Sequence, residues 1–405
     1  MMKKQNITIL GATGSIGQST LDILRRHPDK FSVFALTAYS QVEKLGDLCM
    51  QFSPQYAVIN GEENAEKLNK LLKSKGCETQ VLCSENALSF VATHPETDLV
   101  MAAIVGAAGF VSAFAAAECG KKILLANKET LVMGGELFMR AANTHHAAVL
   151  PVDSEHNAVF QTLPESVRVE MANGIFSGSL NEQIASILIT ASGGSFWQTP
   201  LDEFDKITPQ MAVKHPKWSM GRKISVDSST MMNKGLEVIE ACRLFGLPAE
   251  KIEVAIHPQS IIHGMTRYAD GSVLAQLGTP DMRIPIAHCL GLPERIASGV
   301  AALDFFALDK LTFHRPDFQR FPCLKLAFDA LKIGGTMPCI LNAANEIAVA
   351  AFLDNQIRFT QIAQVIEKTM ENMPNTTADN VADLLQIDKN ARITADEIIK
   401  KFQAA

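Results

Sequence analysis

The chain has no Cys-x-x-Cys pair. Its eight cysteines, at 49, 77, 83, 119, 242, 289, 323 and 339, are scattered over 405 residues. That excludes a thiolate zinc cluster or a disulfide framework as the organising feature, and it fits a reducing, cytoplasmic compartment. Basic excess is also missing. Lys and Arg number 37 against 43 Asp and Glu, a formal charge of −6, so no nucleic-acid-coating surface is expected, although a local cationic site for an anionic substrate remains open. Charge-free runs are rare. Leu99 to Ala117 is one, nineteen residues long, but it is alanine-rich and broken by Gly106 and Gly109. It is expected to form a buried strand, a glycine turn and a helix rather than a membrane span. The lysines before Ile7–Leu10 are followed by a glycine turn with no clear cleavage site, so a first strand is expected there instead of a signal peptide. With 47% hydrophobic and 20% charged residues, the composition is that of folded domains, and at roughly 100–200 residues each the length allows two to four.

Residues 1–152 alternate short apolar runs with helix-like stretches. Asn6–Leu10, Ser32–Ala38, Gln55–Ile59, Asp98–Ala102, Lys122–Ala126 and Ala147–Val152 are expected strands. Their continuous apolar character predicts a parallel, doubly wound α/β sheet covered on both faces. Residues 153–290 differ. Ile187–Ala191 and Ile252–Ile256 are expected strands, and Ile261–Tyr268 and Ser272–Leu277 flank a hairpin turn at Ala269-Asp270-Gly271. An α+β central domain follows from that. Residues 291–316 look like a linker. From 317 to 405 apolar stripes such as Ile340, Ala343, Ala344, Ile347, Ala348 and Ala351 predict a helical bundle, with Thr394 and Glu397 as a capping box before a last helix.

After the first strand comes Gly11-Ala12-Thr13-Gly14-Ser15-Ile16-Gly17, then an expected helix from about Gln18 to Arg26. Free N–H groups and the helix dipole favour a pyrophosphate there, and the glycines permit close backbone approach. The bland alternative is a tight turn with no ligand. The second strand ends in Ala38-Tyr39-Ser40-Gln41, with no acid before Glu43. Absence of the carboxylate that usually holds a ribose 2′-hydroxyl favours NADP(H), with Ser40 and Gln41 as neutral donors to the 2′-phosphate.

The strand Ala147–Val152 leads into Asp153-Ser154-Glu155-His156-Asn157. Asp153 and Glu155 can face one point and attract a hard cation, Mg2+ or Mn2+; taken alone, a helix N-cap with a first-turn Glu is the better explanation of them, and the three segments that follow shift that balance. Ser192-Gly193-Gly194 can cradle a phosphate by backbone N–H groups. Ser225 to Glu237 packs hydroxyls, Asn233, Lys234 and Glu237 into thirteen residues, with Lys234 and Glu237 one helical turn apart; a surface salt-bridged turn is the alternative. His215-Pro216-Lys217-Trp218-Ser219-Met220-Gly221 holds one of only two tryptophans, either as a lid or as static packing.

G-A-T-G-S-I-G, A-I-V-G-A-A-G, N-K-E at 127–129, V-D-S-E-H-N at 152–157, H-P-K-W-S-M-G, S-S-T-M-M-N-K-G-L-E and L-N-A-A-N-E at 341–346 together resemble the 1-deoxy-D-xylulose 5-phosphate reductoisomerase family, in order and from near residue 6 to the C-terminal helices. The resemblance implies an NADPH- and divalent-metal-dependent rearrangement and reduction of a phosphorylated sugar, in a homodimer, with an NADPH domain, a catalytic domain, a linker and a C-terminal helical domain. By the same motifs, Thr13, Gly14, Ser15, Ile16, Asn127, Glu129 and Gly221 are expected at the cofactor, and Asp153, Glu155 and Glu237 at the metal. Lys128, Ser154, Ser192, His215, Ser228, Asn233 and Lys234 are expected around the substrate. Lys128, Glu155, His215 and Trp218 are the catalytic candidates. Where some members carry Gly-Lys-Asn after the second strand, this chain has Tyr39-Ser40-Gln41. Two rivals stand beside this reading. A semialdehyde or homoserine dehydrogenase shares the domain plan but needs no such carboxylate set, and a non-catalytic dinucleotide sensor has no use for it.

Overall fold

Seven short strands build one parallel sheet over the first 151 residues: β1 Gln5–Leu10, β2 Phe31–Ala38, β3 Tyr56–Ile59, β4 Gln80–Leu82, β5 Leu99–Ala102, β6 Lys122–Leu125 and β7 Val149–Pro151. The computed structural model describes residues 4–214 and 221–404. The sheet order is β4-β3-β2-β1-β5-β6-β7, so the winding direction reverses between β1 and β5, where ligands gather in open α/β sheets. Ile7, Ile9 and Leu10 of β1 are fully buried, as are all four residues of β5 to within a few per cent. That is why their buried parts are largely apolar rather than alternating, with Thr8 the buried polar exception. The first helix, Ser15–Arg26, packs Leu21, Ile23 and Leu24 on the sheet and starts three residues before its sequence-based expectation. A Cβ on Gly17 would lie 2.4 Å from Gly11 O, and Gly11 has φ +88 with Ala103 O 2.8 Å from a notional Cβ. Only glycine allows the helix to start this close to the switch point.

The central sheet runs β11-β10-β8-β9, with β8 Ile184–Ala191, β9 Ile252–Ile256, β10 Ile262–Tyr268 and β11 Val273–Leu277. β8 and β9 are parallel, whereas β10 pairs antiparallel with both β8 and β11. The connection after residue 291 is irregular apart from a 3-10 turn at Phe305–Ala307 and an antiparallel bridge from His314 to Ile256 of β9. It is pinned to the first domain by Lys30–Glu294 at 3.0 Å and by His27 Nε2 on Ala297 O at 2.8 Å. Four helices follow, Pro322–Ile333, Met337–Leu353, Gln361–Asn372 and Val381–Ala404. This is the expected class: an α/β doubly wound domain, an α+β centre and a helical end. The helix Met232–Phe245 shares a core with the C-terminal helices, through Leu236 and Ile239 with Ala327, Ile340 and Ala343.

One strand was not anticipated and one local expectation fails. The three-residue β4 has no apolar run of its own and is read only by pairing with β3. Thr394 caps nothing: it lies inside the continuous helix Val381–Ala404, and its hydroxyl faces Met373 Sδ at 3.4 Å. The apolar stripe Leu384, Ala391, Ala395 and Ile398 runs through that point, and tertiary packing overrides the short local motif. The charge-free run behaves as expected, giving β5 and the helix Ala107–Glu118. No described helix is long and apolar enough to cross a membrane.

Candidate active site

One cavity of about 1400 Å3 runs from the glycine turn across the switch point to the central sheet. Thr13, Gly14, Ser15 and Ile16 line one end. Asn127, Lys128 and Glu129 line the middle, beside β5 and β6. Asn127 is locked there, donating to Ile104 O at 2.9 Å and accepting from Thr130 Oγ1 at 2.7 Å. Ser192, Ser228, Asn233 and Lys234 line the other end, and Gly221 is also part of the wall. Ser40 and Gln41 are exposed and do not line the cavity, although Tyr39 beside them does. His215 and Trp218 lie outside the described residues.

Asp153 stands at the start of the helix Ser154–Thr162, just past β7, and brings Glu155 with it. Glu237 comes from the helix Met232–Phe245, which begins after Met231 in a left-handed conformation, φ 58. Carboxylate oxygens of Asp153, Glu155 and Glu237 all lie within 4.8 Å of one another. This is an all-oxygen donor set on the cavity wall, and it fits a hard divalent cation. Two ammonium groups balance it. Lys128 Nζ is 2.8 Å from Asp153 Oδ2, 2.8 Å from Asn233 Oδ1 and 3.2 Å from Glu237 Oε1. Lys234 Nζ donates to Glu155 Oε1 at 2.8 Å and closely to Glu237 Oε2. The segment is therefore a buried charge cluster and not a surface turn: Lys234 is 3% and Glu237 1% exposed.

Burial, and then the neighbouring Glu155 charge, push the Glu237 carboxyl up to about 7, against the pull of Lys128 and Lys234. Burial works against the Lys128 ammonium too, but Asp153 and Glu237 outweigh it and hold it well above the ordinary lysine value. For Asp153 burial opposes ionisation, and Lys128 with His156 prevails, keeping the carboxyl below its usual range. With Glu237 ionised, three carboxylates face two ammonium groups, and a divalent cation would relieve the excess negative charge that otherwise keeps its carboxyl raised.

Several residues at the site escaped the sequence reading. Glu240 lies behind Asp153, and His156 sits between them, its Nε2 donating to Glu237 O at 2.9 Å and its Nδ1 3.7 Å from Glu240 Oε2. The spacing of Asn233, Glu237 and Glu240 on one helix face was the available signal. Lys223 is 2.9 Å from Asp227 Oδ2 and 3.7 Å from Glu129 Oε1, so it ties the segment after Gly221 to the cofactor wall. Glu346 and Arg392, paired at 2.6 Å, bring the C-terminal helices to the same cavity. Nothing local to Arg392 marks it.

Residues 7–135 match the family described as 1-deoxy-D-xylulose 5-phosphate reductoisomerase, residues 149–245 its C-terminal domain and residues 277–394 the DXP reductoisomerase C-terminal domain. A reductoisomerase of Janthinobacterium sp. (strain Marseille) is 56% identical over 396 residues, covering 98% of this chain and 99% of its own. One from Pseudomonas paraeruginosa (strain DSM 24068 / PA7) is 52% identical over 402 residues, 99% and 100% of the two chains. A crystal structure of DOX-P reductoisomerase with NADPH, fosmidomycin and magnesium superposes with a TM-score of 0.92 at 44% identity, over 98% of this chain and 99% of that one. The Zymomonas mobilis enzyme with NADPH gives 0.90 at 44% identity, over 98% and 99%. From the glycine turn to the last helices, this chain belongs to the 1-deoxy-D-xylulose 5-phosphate reductoisomerase family.

Proposed function

We propose that this chain converts 1-deoxy-D-xylulose 5-phosphate to 2-C-methyl-D-erythritol 4-phosphate with NADPH and Mg2+ or Mn2+, a step of non-mevalonate isoprenoid synthesis. The observation that carries the reading is the convergence of Asp153, Glu155 and Glu237 in the same cavity as the glycine turn. A dehydrogenase of the semialdehyde or homoserine type, or a non-catalytic sensor, leaves that set without a purpose, and neither is favoured by full-length relatives that are reductoisomerases.

Asp153, Glu155 and Glu237 would hold the metal. When bound, the metal supplies Lewis acidity to neighbouring sugar oxygens and NADPH supplies the hydride. Lys128 and Asn233, already bonded to each other, orient the sugar backbone beside the carboxylates. Ser154 faces the same point. Ser192, the backbone at Gly193 and Gly194, Ser228 and Lys234 offer donors to the substrate phosphate. Thr13 to Ile16 receive the cofactor pyrophosphate, with Asn127, Glu129 and Gly221 along its length. The cavity walls come from three parts of the chain.

The functional partition is 1–152 for NADPH, 153–290 for catalysis, 291–316 as linker and 317–405 as the helical domain. The working form is a homodimer. β11 is an edge strand with Val273 and Leu274 half exposed, and Phe305 and Phe306 stand in solvent on the linker; a second copy would cover both. Eight free cysteines support a reducing compartment, the cytoplasm. NADPH consumption with deoxyxylulose phosphate, with and without Mg2+, tests the reading. Consumption that needs both is expected, and consumption indifferent to chelator contradicts it.

A further inference from the structure

The adenosine end of the cavity lies beyond the glycine turn, between the end of β2, Asn60, and the segment around Ser84 and Glu85. Among the described residues lining that end there is no Lys or Arg. A 2′-phosphate there needs a cation from elsewhere. Lys44, in the first turn of the helix Val42–Phe52, stands beside the glycine turn. Its Nζ donates to Thr13 O at 2.6 Å, which puts the ammonium against the glycine turn. An ammonium has three donors, so one can stay on Thr13 O while the others meet a ligand. In a dinucleotide fold the ribose 2′ position lies between the glycine turn and the end of the second strand, the junction that Lys44 spans.

Tyr39 is the second feature. It follows β2 directly and lines the cavity, yet it is 77% exposed. Its carbonyl accepts from Asn60 N–H at 3.1 Å, which holds the backbone, and its side chain is largely exposed at the cavity rim. A flat apolar face beside an adenine pocket is a stacking platform.

We propose that Lys44 and Tyr39 together read the adenosine half of NADPH: Lys44 pairs with the 2′-phosphate and Tyr39 stacks on the base. This rests on the NADPH reading above and assigns its selectivity. Lys44 contributes only when the phosphate is present, whereas Tyr39 contributes to any adenine nucleotide. The two roles separate experimentally.

The test uses the full chain and two probes, adenosine 2′,5′-bisphosphate and 5′-AMP, with Kd measured by calorimetry. Lys44→Met should weaken the bisphosphate about tenfold and leave AMP within about twofold, as loss of one charge-assisted contact requires. Lys44→Arg should retain the preference. Tyr39→Ala should weaken both probes together by about tenfold, and Tyr39→Phe neither. In turnover, the NADPH-to-NADH ratio of kcat/KM should fall in Lys44→Met and hold in Tyr39→Ala. If Lys44→Met leaves the ratio of the two Kd values unchanged, or weakens both probes equally, Lys44 only braces the turn and the assignment is wrong. Unaltered binding in Tyr39→Ala contradicts the stacking. If the unmodified protein itself does not prefer the bisphosphate, the NADPH reading falls together with the proposal; a preference that survives Lys44→Met overturns the proposal alone.

Discussion

Lys234 and Glu155 come from helices 79 residues apart in sequence and meet with Nζ 2.8 Å from Oε1 inside the cavity wall. The same ammonium holds Glu237. Lys234 therefore stabilises two carboxylates that would otherwise face each other buried. Replacing it with Met leaves both without that cation, which costs about 3 kcal/mol of stability. Added Mg2+ should return part of the loss, because the cation takes over the neutralisation. Thermal unfolding with Mg2+ and with chelator measures both effects. Equal destabilisation in the two conditions would show that Lys234 and the metal do not share the same carboxylates.

Glu237→Gln keeps the shape of the side chain and removes its charge. Metal affinity and turnover should fall together, by on the order of a hundredfold in kcat/KM, roughly 2.7 kcal/mol, while NADPH binding survives. Unchanged metal dependence in this variant would remove Glu237 from the donor set.

Gly194, φ +67, lies so close to the Ser228 carbonyl that a Cβ would sit 2.5 Å from it. Gly194→Ala must push the Ser192–Gly194 turn and Ser228 apart. The expected result is a rise of about tenfold or more in KM for the sugar phosphate with the NADPH Kd unchanged. A parallel rise for both ligands would mean that the turn supports the whole cavity and not the phosphate end.

Much of this was legible in residue order. β1, the glycine turn and the first helix follow one another within 26 residues, and their apolar and glycine pattern is local. The paired carboxylates at 153 and 155 and the dense 225–237 segment were visible for the same reason. The charge cluster between them was not. Lys128 reaches Asp153 and Glu237 only because β6, β7 and the helix Met232–Phe245 converge, and no local pattern encodes that. Thr394 shows the opposite error, a local cap signature overruled by a stripe that needs the whole helix. Arg392 enters the cavity from near the C-terminus through its bond to Glu346, a contact that spacing does not reveal.

His288 supplies a pH prediction away from the metal set. It is 3% exposed, and its Nδ1 accepts from Asn157 Nδ2 at 3.1 Å. Burial first, then the charges of Arg295 and Arg168, hold the imidazole at about 3 instead of 6.5. The unfolded chain therefore takes up this proton first as pH falls. The His288 contribution is complete above pH ~6.5 and is lost progressively towards pH ~3, a few kcal/mol at most. Urea unfolding between those limits should show a shallower pH slope in His288→Gln than in the unmodified chain. Identical slopes would mean that His288 is protonated in the fold.

The central claim is that one cavity carries out both a carbon-skeleton rearrangement and a hydride transfer. Incubation with deoxyxylulose phosphate, Mg2+ and NADPH deuterated at the transferring position, followed by NMR of the product, tests it most directly. The account predicts the branched methylerythritol phosphate, with one deuterium on the carbon that was the intermediate aldehyde, and no product in chelator. An unbranched deoxypentitol phosphate, reduced at the original ketone, would contradict it.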